Sequence, residues 1–155
     1  PLFFIFLLYG CQNPPPQYDI GGCVVESDRE IESLIPVSEN PEETKEVDIF
    51  TDKHEDGVAV DYPQGTRLYI FRFEDHRSAN EGLESYWSSI GDSIGDKCCL
   101  EVNDDHSYAF TNKPSNFLWT SQNYLFVLSS LPESSDETGK VVESLLKGLD
   151  CQENP

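Results

Sequence analysis

In 155 residues this chain carries 29 acidic side chains against 10 basic ones, a formal charge of −19 at neutral pH. A surface that negative repels nucleic acid and anionic headgroups alike, and no basic groove with stacking aromatics stands out, so nucleic acid is excluded as a partner. The same acidity keeps a surface-tethered domain dissolved and suits high salt equally well.

The chain starts with an unbroken apolar run, Leu2-Phe3-Phe4-Ile5-Phe6-Leu7-Leu8-Tyr9, which ends in Gly10-Cys11 before Gln12-Asn13-Pro14-Pro15-Pro16. The run is shorter than the roughly 20 apolar residues that span a bilayer. It has the length of the h-region of an export signal, with a small residue before the cut. Leu8, Gly10 and Cys11 resemble the lipobox of membrane lipoproteins, although Tyr9 stands where that motif usually holds a small or β-branched residue. The resemblance implies that residues 1–10 are a signal h-region and that Cys11 is lipidated. It also implies an extracytoplasmic protein anchored to the cell membrane. With no Met and no basic flank before the run, the expectation is that the signal is truncated. A core element ending in Gly-Cys is the competing reading, and the abrupt proline-rich stretch speaks against it.

Five cysteines are present: Cys11, Cys23, Cys98, Cys99 and Cys151. With Cys11 lipidated, four remain, enough for two disulfides. Neighbours rarely bridge each other, because their Cα atoms sit about 3.8 Å apart and a relaxed bridge wants about 5.5–6 Å. Cys98 and Cys99 are therefore expected to bond outward, one to Cys23 and the other to Cys151, with the assignment left open.

Residues 11–46 read as a lipidated cysteine followed by an acidic, proline-rich tether. Pro14 to Pro16 favour a stiff polyproline segment, and two apolar patches, Ile20 to Val25 and Ile31 to Val37, lie along the body as edge segments. Residues 47–151 are expected to form one domain. Val47, Ile49 and Thr51 alternate as a strand, Asp52 to Gly57 turns, Val58 and Val60 alternate again, and Arg67 to Phe73 forms a third strand with Tyr69, Phe71 and Phe73 toward the core. Asp75 or Ser78 caps a helix striped by Ala79, Leu83, Tyr86, Trp87 and Ile90. Gly82 in its middle costs about 1 kcal/mol against Ala, which suggests close packing on a sheet. Strands return at Cys98 to Val102, Ser107 to Thr111, Phe117 to Thr120 and Tyr124 to Leu128. A final helix from Ser134 or Ser135 is striped by Val141, Val142, Leu145, Leu146 and Leu149. This order predicts an α+β fold, an antiparallel sheet covered by two amphipathic helices. The order of elements is similar to that of PsbP- and Mog1-type domains, with no motif behind the likeness.

Candidate chemistry is sparse. His54 and His106 sit among carboxylates, and Asp52, His54, Asp56, Asp105 and His106 make the best metal-binding candidates, for calcium or zinc. The stretch from Asp52 resembles the start of an EF-hand loop, but His54 occupies an Asp/Asn slot and Pro63 falls where the bidentate Glu belongs. Turn residues in a very acidic chain account for the same pattern more simply. No G-x-S-x-G, P-loop or G-x-G-x-x-G is present, so no enzyme and no cofactor are expected. Trp119 and Tyr124 would form a recognition patch if they faced solvent; filling the core is the simpler role for both. The expectation is a non-enzymatic module that binds a protein or small ligand, with a metal-dependent binding domain as the alternative.

Overall fold

A sheet of seven antiparallel strands organises the computed structural model, which describes residues 23–48, 54–90, 97–102, 107–112, 115–131, 135–149 and 152–153. Cys11, Asp52, Asp105, His106 and Cys151 lie outside the described residues. The strands in chain order are β1 (Cys23–Val24), β2 (Glu43–Glu46), β3 (Asp56–Asp61), β4 (Arg67–Arg72), β5 (Lys97–Val102), β6 (Ser107–Asn112), β7 (Ser115–Ser121), β8 (Tyr124–Leu131) and β9 (Gln152–Glu153). Helices α1 (His76–Ser89) and α2 (Ser135–Gly148) complete the predicted α+β fold.

The sheet runs β2-β3-β4-β8-β7-β6-β5. Two meanders, β2 to β4 and β5 to β8, meet where β4 pairs with β8. Helix α1 carries the chain from β4 to the far edge at β5, and α2 follows β8. β1 and β9 form a separate two-stranded pair, with Cys23 opposite Glu153.

Side-chain alternation sends one set of residues to each face. Leu68 and Ile70 of β4, Phe117 and Trp119 of β7, and Tyr124, Phe126 and Leu128 of β8 point to one core, where Val142 and Leu145 of α2 and Leu149 just after it meet them. Phe71, Leu118, Leu125 and Val127 point the other way, onto Ala79 and Leu83 of α1. The central strands are buried on both faces. The expectation that the Tyr69-Phe71-Phe73 side of β4 is the core face therefore holds for only half the core. Leu68 and Ile70 are fully buried on the other side.

The close approach expected at Gly82 is present. A Cβ there would lie 2.9 Å from Cε1 of Phe73, which is itself 1% exposed. Asp75 caps α1, its Oδ1 accepting from the Ser78 N–H at 2.7 Å.

The expected boundary at residue 47 needs correction. Val25, Ile31 and Leu34 are completely buried against the α2-side core, the latter two on a 3₁₀ turn at Ile31–Leu34. β2 begins at Glu43, ahead of the predicted Val47 strand. The packed body starts by residue 23, because these apolar side chains cover β3 and β4 on the stretch α2 leaves open. Val47 still joins the ladder, donating from N–H to the Gly57 carbonyl at 2.9 Å.

Candidate binding cleft

α1 packs over β6, β7 and β8. Among the described residues α1 makes its main contacts there, with Phe71 of β4 also packed against it, and fewer with the β2–β4 half of that face. Along its end runs one cross-strand row, Glu43 opposite Asp61, Asp61 opposite Arg67, and Arg67 opposite Ser129. A 3₁₀ turn at Pro63–Gly65 returns β3 to β4. It closes with Tyr62 N–H donating to the Thr66 carbonyl at 2.8 Å, and Gly65 supplies φ +79°. A cleft of about 710 Å³ opens here, lined by Glu42, Glu43, Asp61, Arg67, Tyr69 and Ser129 among others.

Arg67 is the centre of the cleft. Its Nε and Nη2 both donate to the Asp61 carboxylate, Nη2 to Oδ2 at 2.9 Å. This fork geometry suits a guanidinium better than an ammonium. The hydrogen bond from Arg67 holds the Asp61 carboxyl below its ordinary value, and the bonds to Asp61 and Tyr69 push the guanidinium further up. Lys45 is paired with Glu43 at 2.8 Å. Both cations near the cleft are thus neutralised locally, while Glu42 has no ion-pair partner among the described residues. Tyr62 borders the cleft but belongs to the α2-side core, and its hydroxyl, like Thr66 Oγ1, is buried without a hydrogen-bond partner. Burial raises the Tyr62 phenol, helped by Glu39, so it stays protonated.

Of the predicted metal residues, His54 and Asp56 fall among the described ones. His54 is mostly buried, its ring edge-on to Phe71 at 5.4 Å and its Nε2 3.8 Å from Asp48 Oδ1. Asp56 faces Arg72, 4.0 Å from Nη2, and Glu55 lies 3.4 Å from Arg72 Nε. A shallow cleft of about 420 Å³ adjoins them. Among the described residues no three His, Cys, Asp or Glu side chains converge for a metal ion.

Trp119 and Tyr124 take the simpler of their two roles and fill the core, so they form no exposed recognition patch. Both are fully buried. Trp119 stacks between Phe117 at 5.3 Å and Phe126 at 4.8 Å, and the Tyr124 hydroxyl donates to the Arg29 carbonyl at 2.7 Å. The segment before residue 47 covers the face that the two rings would otherwise present to water.

A second polar arrangement lies at the start of α1. His76 Nδ1 meets the Gln122 carbonyl at 2.7 Å, and Asn80 Nδ2 meets His76 Nε2 at 3.3 Å. Thr120 Oγ1 donates to Asn80 Oδ1 at 2.9 Å and accepts from the Ser107 N–H at 3.1 Å. These bonds are mutually consistent when the His76 proton is on Nδ1 and Asn80 donates to Nε2. The chain of bonds ties α1 to the β7–β8 turn.

Fold and cleft define an antiparallel sheet with a helix on each side and a polar opening at one end of one face. No family model matches the sequence, and no curated protein does. Among solved structures, that of a GTP-binding regulator from Thermotoga maritima is similar over 74% of this chain and 79% of that chain, at 13% identity and a TM-score of 0.47. A likeness that remote carries no functional argument.

Proposed function

We propose that this protein is a lipid-anchored, extracytoplasmic and non-enzymatic binding module, joined to the membrane through Cys11, which presents the Arg67 cleft to a partner protein. The observation that supports this reading is the polarity of the sheet. The segment leading back toward Cys11 is fastened at one end, where Val25 N–H donates to Ser121 Oγ at 2.9 Å and Arg29 accepts from Tyr124. Ser121, Tyr124 and Arg72 share that end of the sheet. The cleft occupies the other end, at Arg67 and Ser129. From Arg72 to Arg67, β4 spans about 17 Å at roughly 3.3 Å per residue. A tether attached at the first end leaves the cleft facing away from the membrane.

Export would also oxidise Cys23, Cys98, Cys99 and Cys151 into two disulfides. A two-stranded pair as short as β1–β9 is marginal alone, and a bridge through Cys23 would hold it. Metabolic labelling with an alkyne fatty acid tests the anchor: the complete reading frame takes up label and its Cys11→Ser variant does not. An unlabelled native protein that keeps residues 1–10 would overturn the reading. Alkylation before reduction should leave the four remaining cysteines unmodified.

A further inference from the structure

The same half-sheet that frames the cleft ends in an unpaired edge. β2 is the outermost strand, all four of its residues are exposed, and among the described residues no strand pairs with its outer side. The ladder fixes which backbone groups are free. Val47 donates to Gly57, its register partner, and Tyr62 to Thr66, so odd residues of β2 bond to β3 while even residues of β3 bond to β4. By antiparallel alternation, the N–H and C=O groups of Thr44 and Glu46 point outward. They form a template for an added strand.

Charge decides what can occupy it. Glu43 and Glu46 flank Thr44 and Lys45, Glu42 stands just ahead, and Lys45 is already held by Glu43. Pairing with a second copy would bring two chains of −19 together with glutamates on both edges, and like charges across a pair are destabilising. A strand carrying lysine or arginine gains where a second copy loses. We infer that a basic, extended segment of a partner protein adds to the β2 edge as an eighth strand, seating a cationic side chain at the mouth of the cleft beside Glu42 and Glu43. This rests on the cleft being a binding site and specifies how the partner docks.

The test uses a synthetic peptide alternating lysine with threonine, with its glutamate–threonine counterpart as control, added to the whole chain while amide exchange is followed by NMR. The lysine peptide should slow exchange at Thr44 and Glu46 by roughly tenfold or more, as new hydrogen bonds protect them, and the control should not. Thr44→Pro should abolish that protection with the melting curve retained, since edge strands accept proline where the N–H faces outward. Glu46→Pro is the second variant. Glu42→Lys with Glu43→Lys should weaken binding at least as strongly. Peptide-induced shifts at Arg67, Tyr69 and Ser129 with Thr44 and Glu46 unprotected would overturn strand addition and keep the cleft. Concentration-dependent protection without peptide would overturn it in favour of a second copy. No response at any residue would overturn it outright, and fatty-acid labelling decides the anchored reading separately.

Discussion

Gly82 sets two known effects against each other. Replacing it with Ala gains about 1 kcal/mol of helix propensity, but the new methyl must displace the buried Phe73 ring, and overpacking a filled core costs roughly 1–3 kcal/mol. Gly82→Ala should therefore lower stability by about 1 kcal/mol in urea unfolding. Adding Phe73→Leu should recover part of the loss, a non-additivity that a double-mutant cycle reads directly. If Gly82→Ala alone were stabilising, the close contact would not be limiting. Here a single residue was legible, because a glycine inside an apolar helical stripe weakens the helix and close packing is what offsets that loss. For Trp119 and Tyr124 the core was the simpler reading, but what covers them was not legible, because alternation says that a side chain faces one side of a sheet and cannot say what covers that side. The cleft was equally hidden, since Asp61 and Arg67 become neighbours only through the β3–β4 register.

Both helices and the β5–β8 hairpins follow their sequence signals closely, because apolar periodicity and turn residues agree in each. β2 escaped because its four residues are exposed on both faces, which leaves no alternation to detect. The buried parity of β4 was only half read, since a strand covered on both sides reads as a continuous apolar run. At α1 the cap is testable through pH. The Ser78 backbone N–H holds the Asp75 carboxyl below its ordinary value. A lowered folded value means stability that is present above the unfolded value near 3.9 and is lost as pH falls through the folded one. Asp75→Asn keeps a capping oxygen and removes the charge. Its melting temperature should fall below wild type at neutral pH and converge with it in acid, whereas Asp75→Ala should stay lower throughout. A gap between Asp75→Asn and wild type that persisted unchanged in acid would show that charge is not the cause.

At the scale of the molecule, residues 25–46 are part of the fold despite their tether-like composition. The buried ones among them are too few and too irregularly spaced to show a period, and 3₁₀ turns have none to show. Ile31→Ala or Leu34→Ala should cost roughly 2–5 kcal/mol, as core truncations do, where a true tether residue would cost nothing measurable. Charge then sets the response of the whole body to salt. Crowding 29 acidic groups with 10 basic ones makes the compact state repel itself. Opposing this are exposed or half-exposed pairs such as Arg67–Asp61 and Arg77–Glu81, each worth about 0–1 kcal/mol. Salt weakens both, but the repulsion is summed over many more groups. Raising NaCl from about 0.01 M to 1 M shrinks the screening length from about 30 Å to 3 Å and should raise the melting temperature by several degrees. Replacing exposed Glu32 and Glu84 with Gln should raise it in low salt and leave it unchanged in high salt. A melting temperature that fell as NaCl rose would mean the attractive pairs dominate, and the acidic surface would then have its reason in what it binds.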